Sequence, residues 1–128
     1  MTENQLATIA VDIAFSVHKE LGTGLLESVY EAAFCYELDL LNISYTRQET
    51  IAINYKTAKL DHGFRADIIM EDKLLIEIKS VESIERIHHK TTLNYLRLKK
   101  YKLGFLINFN VELIKNGIHR KVNGLEED

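Results

Sequence analysis

FRADIIMEDKLLIEIKS, residues 64–80, reads as two strands joined by a short turn. Ile68 and Ile69 on one side, and Leu74, Leu75, Ile76 and Ile78 on the other, form the near-continuous apolar run of strands covered on both faces. Asp67, Glu77 and Lys79 stand among them. A charge in such a place costs free energy unless it is paired or holds a metal. Side chains alternate along a strand, so Glu77 and Lys79 share a face. The turn decides whether Asp67 joins them. If Glu71, Asp72 and Lys73 form a three-residue loop, Met70 faces Leu74 and Asp67 falls opposite Glu77, with Cβ atoms about 4.5–5.5 Å apart. A two-residue loop at Glu71-Asp72 would instead set Asp67 against Ile76, on the other face. Opposed carboxylates raise each other's pKa, and a divalent cation removes the repulsion. Oxygen-only ligands favour Mg²⁺, Mn²⁺ or Ca²⁺ over zinc.

The 128 residues suit one domain, 1–128, and 46% hydrophobic residues can build a core at that length. A net charge of −3 argues against a general nucleic-acid-binding protein, but the charge is unevenly spread. Residues 79–102 carry seven cations against two acids, a net of +5, which leaves −8 for the rest. Those cations are Lys79, Arg86, Lys90, Arg97, Lys99, Lys100 and Lys102. They read as a solvated helix face or as a surface that tracks phosphates. The single cysteine, Cys35, excludes an intramolecular disulfide and reads as a small buried hydrophobe. No apolar stretch reaches the roughly 18 residues of a membrane span, and no signal-peptide layout opens the chain. A reducing cytoplasm is the expected setting, with no membrane partner.

Thr2-Glu3-Asn4-Gln5 has capping-box spacing, and Leu6, Ile9, Ala10, Ile13, Val17 and Leu21 recur at helical intervals up to Gly22. A second helix is expected from Thr23 or Gly24 to about Leu40, with Leu26, Val29, Ala33, Tyr36 and Leu40 as its apolar stripe. Glu27, Tyr30, Glu31 and Phe34 fall on the adjoining face. Residues 43–55 read as a first strand interrupted at Arg47, Gln48 and Glu49, and Lys56–Gly63 as a polar turn. A third helix is expected over about 83–101, with Ile84, Ile87, Thr91, Tyr95 and Leu98 inward. Leu103–Phe109 reads as a strand parallel to the third strand or its neighbour. Val111–Val122 reads as a hairpin about Asn116-Gly117, and residues 124–128 as a frayed tail.

Asp67, a short spacer and then Glu77-x-Lys79 on a hairpin resembles the signature of the PD-(D/E)XK nuclease superfamily. Gly24-Leu25-Leu26-Glu27-Ser28-Val29-Tyr30 is similar to the motif that names the GxxExxY proteins, a branch of it. Asn94-Tyr95-Leu96 and Leu106-Ile107-Asn108-Phe109 also resemble that branch, and the likeness runs from about Ile9 to Val122. Ala66 stands where the superfamily name has proline, and Thr91 where a helix glutamine is expected. The resemblance implies an α/β (α+β) restriction-endonuclease-like core. Its mixed central sheet is flanked by helices in the order α-α-β-β-β-α-β-β. It also implies a Mg²⁺- or Mn²⁺-dependent phosphodiesterase, a hydrolase acting on nucleic acid, with DNA favoured over RNA. Asp67, Glu77 and the Ile78 backbone carbonyl would hold the metal, Glu27 would anchor its shell, and Lys79 would act on the phosphate. Without the resemblance, Glu27 reads as a first-turn acid favoured by the helix dipole. Gly24, Tyr30, Thr91 and Tyr95 would support the site. Arg86, Lys90, Arg97, Lys99, Lys100 and Lys102 would bind phosphates. A non-catalytic module is the alternative, with Lys79 neutralising both carboxylates in an ion-pair cluster. The oligomeric state is open, a homodimer or a protein partner included.

Overall fold

Thr2 starts the chain's first helix as its spacing requires. Its hydroxyl accepts the Gln5 N–H at 3.2 Å while Gln5 Oε1 accepts the Thr2 N–H at 2.9 Å. The computed structural model describes residues 1–61 and 63–126. Helix α1 spans Glu3–Leu21, buries Leu6, Ala10, Ile13 and Val17, and ends at Gly22 with φ +68°. Helix α2 spans Glu27–Leu40, three residues later than Gly24. Its core face is Tyr30, Glu31, Phe34, Cys35 and Leu38. Of the expected stripe, Leu26, Val29, Tyr36 and Leu40 face solvent instead, and Ala33 alone packs against the core. Both faces are apolar, so period alone could not choose between them. The face carrying Tyr30 wins because its ring stacks on Phe109 at 4.6 Å between centroids and its hydroxyl has two backbone partners. Cys35 is buried, which pushes its thiol up to about 11 and keeps it protonated.

The expected first strand breaks at Ile51-Ala52. Strand β1 spans Tyr45–Thr50, while β2, Ile53–Tyr55, turns through Lys56-Thr57 into β3, Ala58–Leu60, as a separate two-stranded sheet. The expected polar turn at 56–63 therefore holds a strand, and its His62 lies outside the described residues. Next come β4, Arg65–Met70, β5, Leu74–Lys79, helix α3, Arg86–Lys99, β6, Leu103–Asn108, and β7, Ile118–Val122. The main sheet runs β1-β4-β5-β6-β7. Only β5 and β6 pair in parallel, as the α3 crossover demands. Set apart from the inserted β2–β3 hairpin, the chain order is the expected α-α-β-β-β-α-β-β, in a mixed sheet flanked by helices. Ile68, Leu74, Ile76 and Ile78 pack toward α1 and α2. Ile69 and Leu75 pack toward Tyr95 and Leu96 of α3.

Three other expectations are corrected. Helix α3 begins at Arg86, after a Glu85–His88 capping box, and ends at Lys99, with Lys100 left-handed at φ +59°. Its core face is Thr92, Tyr95 and Leu96, while Ile87 and Leu98 are exposed. Residues 111–122 do not form a hairpin, because Ile114–Asn116 is a single 3-10 turn and β7 pairs with β6. Leu125, in the expected frayed tail, packs against the core, and Glu127 and Asp128 lie outside the described residues. No helix among the described residues is long and apolar enough to cross a membrane.

Gly117 owes its place to close approach rather than to a turn. A Cβ there would lie 2.1 Å from the Asn108 carbonyl oxygen, in a backbone segment fixed by the Asn108 N–H to Gly117 carbonyl bond of 2.8 Å. Gly117→Ala is expected to cost at least the roughly 1–3 kcal/mol of an overpacked core. Urea unfolding of the variant beside the parent measures it, and an unchanged midpoint would contradict the close packing described.

Candidate active site

The loop after β4 has odd length. Glu71 and Asp72 both adopt left-handed backbone, φ +53° and +52°, and the Lys73 N–H closes onto the Met70 carbonyl at 2.9 Å. The register is Met70 with Leu74, Ile69 with Leu75 and Ile68 with Ile76, so the next pair in line is Asp67 and Glu77. There the ladder stops. The Ile78 N–H donates to Asp67 Oδ2 at 2.7 Å, and the Asp67 N–H donates to Glu77 Oε1 at 3.1 Å. Each carboxylate occupies the place a strand carbonyl would take. A residue's N–H and C=O point the same way from an extended strand. The Ile78 carbonyl therefore opens into the same gap.

The two acids are poorly solvated. Glu77 is 5% exposed, and its carboxyl is pushed up to about 8, first by burial and then by the charge of Asp67. Asp67 is also raised, by burial above all, against the Ile78 N–H and the Gln48 amide, which favour its charged form. Lys79 is half-buried and lowers both, yet it forms no ion pair with either among the described residues. The ion-pair cluster of the alternative reading is thus not formed.

Two residues that the sequence reading gave no role complete this neighbourhood. Glu31, buried on α2, accepts Arg47 Nε at 2.8 Å and Gln48 Nε2 at 2.6 Å. Gln48 Nε2 also donates to Asp67 Oδ1 at 3.1 Å, so one amide joins the α2 acid to the β4 acid. Gln48 sits at φ +54°, although the β1–β4 register continues unbroken on either side of it. It is a turned residue, not an inserted one, and holding it so costs about 1–2 kcal/mol. The break in alternation at Arg47, Gln48 and Glu49 was the available signal.

Glu27 lies one helical turn before Glu31 but on the exposed rim, where its Oε2 accepts the Ser80 N–H at 3.3 Å. Ser80 Oγ donates to the Leu25 carbonyl at 2.7 Å. Tyr30 does not touch Glu27 through its hydroxyl. That group donates to the Gly22 carbonyl at 2.7 Å and accepts the Leu25 N–H at 3.2 Å. Gly24, at φ +88°, lets the loop turn. Buried Asn108 takes the Val81 N–H at 3.1 Å and returns its amide to the Val81 carbonyl at 3.0 Å. Residues 24–30 and 106–109 together clamp Ser80 and Val81, the two residues after Lys79.

On α3, Tyr95 faces the carboxylates closely enough that Glu77 and Asp67 help burial to raise its hydroxyl. Thr91 is half-buried and has no side-chain hydrogen bond among those described. Arg86, Lys90 and Arg97 are exposed within a 40° sector, given 100° per residue. Lys99 is drawn off that surface by Glu49 at 2.7 Å and lies over the Tyr101 ring. Lys102 precedes the start of β6, which pairs with Leu74 at the end of β5 away from Lys79.

The donors suit a hard divalent cation. Asp67, Glu77 and the Ile78 carbonyl offer only oxygen, and neither carboxylate is ion-paired among the described residues. Glu77 Oε2 makes no hydrogen bond among the described residues. No group of three His, Cys, Asp or Glu side chains converges among them, so water and substrate would supply further ligands, as Mg²⁺ sites with one or two carboxylates allow.

A family model for the PD-(D/E)XK nuclease superfamily matches residues 4–121. The chain belongs to that superfamily. No curated protein and no solved structure matches it.

The raised Glu77 pKa sets a pH dependence. Between the unfolded value of 4.5 and the folded value of about 8, the native protein holds a proton that the unfolded chain releases. That stability is complete below 4.5 and is lost as pH rises through about 8. His89 and His119, both pulled down by burial, push the other way near 6.5. Glu77→Gln isolates the carboxyl. In a chelator, the parent's unfolding free energy should fall relative to that of Glu77→Gln across this window. Parallel pH profiles would contradict it.

Proposed function

We propose that this member of the PD-(D/E)XK nuclease superfamily hydrolyses nucleic-acid phosphodiester bonds with Mg²⁺ or Mn²⁺. The observation that carries the reading is the cut in the sheet, where Asp67 and Glu77 replace the β4–β5 ladder with Lys79 on the same face. Asp67, Glu77 and the Ile78 carbonyl would hold the cation. When bound, it would polarise a phosphate oxygen and make a water more acidic. Lys79 would donate to the phosphate oxygen on which charge develops. Gln48 and Glu31 would hold the Asp67 carboxylate in place. Glu27 is assigned to the rim of the metal shell through Ser80. Gly24, Glu27 and Tyr30 support placement in the GxxExxY branch. DNA is favoured over RNA, in a cytoplasmic setting.

Lys79 separates catalysis from metal binding. Lys79→Ala removes no metal ligand, so Mg²⁺ affinity should stay equal or rise, while cleavage falls by about 10²–10³-fold. Glu77→Ala should lose both. Calorimetric Mg²⁺ titration beside a cleavage assay reads the two effects, and a Lys79→Ala protein that cleaves at the parental rate ends the assignment.

The exposed cations of α3 give a second measurement. Neutralising Arg86, Lys90 and Arg97 should weaken binding to all sequences alike. The slope of log K against log salt should become shallower by about 0.9 per lost contact on duplex DNA. An unchanged slope would mark this face as merely solvated.

A further inference from the structure

Between α3 and β2, on the sheet face where Ala66 and Leu75 pack, the chain builds a hollow of about 280 Å³. Phe64 and Tyr95 form its inner wall, with rings edge to face and centroids 5.7 Å apart. Ile53 and Leu98 add aliphatic sides, and Asn94 and Arg97 stand exposed at its mouth. The hollow and the candidate site share a wall. Phe64 and Tyr95 pack in one apolar cluster with Ala66, the residue before Asp67. Phe64 precedes Asp67 by three residues, about 10 Å of extended chain.

We propose that this hollow receives one unstacked nucleobase of the strand being cleaved, which makes the substrate single-stranded or locally opened at the cut. The inference rests on the nuclease reading above and adds its substrate class. A base is planar and apolar on its faces and carries hydrogen-bonding groups on its edge. The hollow matches that division, with ring and aliphatic walls inside and an amide and a guanidinium outside. Its volume falls just below the roughly 300–1,000 Å³ of sites for larger small molecules, which suits a single ring system. Arg97 also belongs to the exposed row with Arg86 and Lys90, so the backbone of a strand crossing that row would pass the mouth. A duplex keeps its bases stacked and shows only their edges. A ring reaches a lateral pocket only by leaving the stack.

The test is equilibrium binding of a short single-stranded oligonucleotide in a chelator, with one abasic position moved along it. One position should weaken binding by about 5- to 150-fold, the range for losing one base–aromatic stack, while the others change little. 2-Aminopurine at that position should be quenched on binding. Thr91→Trp, which fills the hollow from α3, should erase the positional effect. So should Leu98→Asp, an exposed substitution that spares the fold if the tryptophan does not; melting curves verify both variants. A flat abasic series on an oligonucleotide that still binds in a salt-dependent way overturns the base site and leaves the nuclease reading intact. Failure of single strands and duplexes alike to bind overturns both. A flat series with a changed sedimentation coefficient in Leu98→Asp assigns the hollow to a second copy of the chain and overturns the proposal.

Discussion

Two carboxylates stand where two strand carbonyls should be, and the rest of the site depends on that exchange. A ladder bond joins backbone to backbone and leaves no free valence. Asp67 and Glu77 satisfy N–H groups with one oxygen each, at 2.7 and 3.1 Å; the second Asp67 oxygen accepts the Gln48 amide, and the second Glu77 oxygen makes no hydrogen bond among the described residues. The opening thus satisfies its backbone donors while presenting oxygen lone pairs inside a sheet. Its cost is electrostatic, and the raised Glu77 carboxyl expresses it. Everything around the opening limits that cost or fixes the opening's width.

The residues that look like a motif in sequence serve this second purpose. Gly24, Glu27 and Tyr30 lie outside the cut itself. They bind the loop after α1 to Ser80, while Asn108 grips Val81 and Phe109 backs Tyr30. The strand that presents Glu77 and Lys79 is therefore held just beyond its last catalytic candidate. A side chain ending a strand would otherwise fray with it. Such support from outside the reacting groups resembles what the ligands of a metal site require of their surroundings.

Much of this was legible because it rests on period and count. Alternation put Glu77 with Lys79, and a three-residue loop put Asp67 opposite Glu77. The Thr2 capping box and the parallel β5–β6 pair followed equally local rules. What failed had two local answers. Helix α2 has two apolar faces, and contacts outside the helix select the one with Tyr30: Phe109 from the far end of the chain and the Gly22 and Leu25 backbone. Asn116-Gly117 looks like a hairpin turn, but the glycine is there for the Asn108 carbonyl. Glu31 was seen only as a residue on the adjoining face, because its partners, Arg47 and Gln48, come from a strand distant in sequence.

Gln48 sets backbone ease against side-chain reach at a single codon. A left-handed backbone is easiest for glycine and tolerable for asparagine, whereas this glutamine holds it under strain to reach Glu31 and Asp67 together. A lineage kept only for thermal endurance would drift toward glycine there. One kept for the link between Glu31 and Asp67 would hold the longer amide. The composition at this position across descendants would then record which pressure each had met.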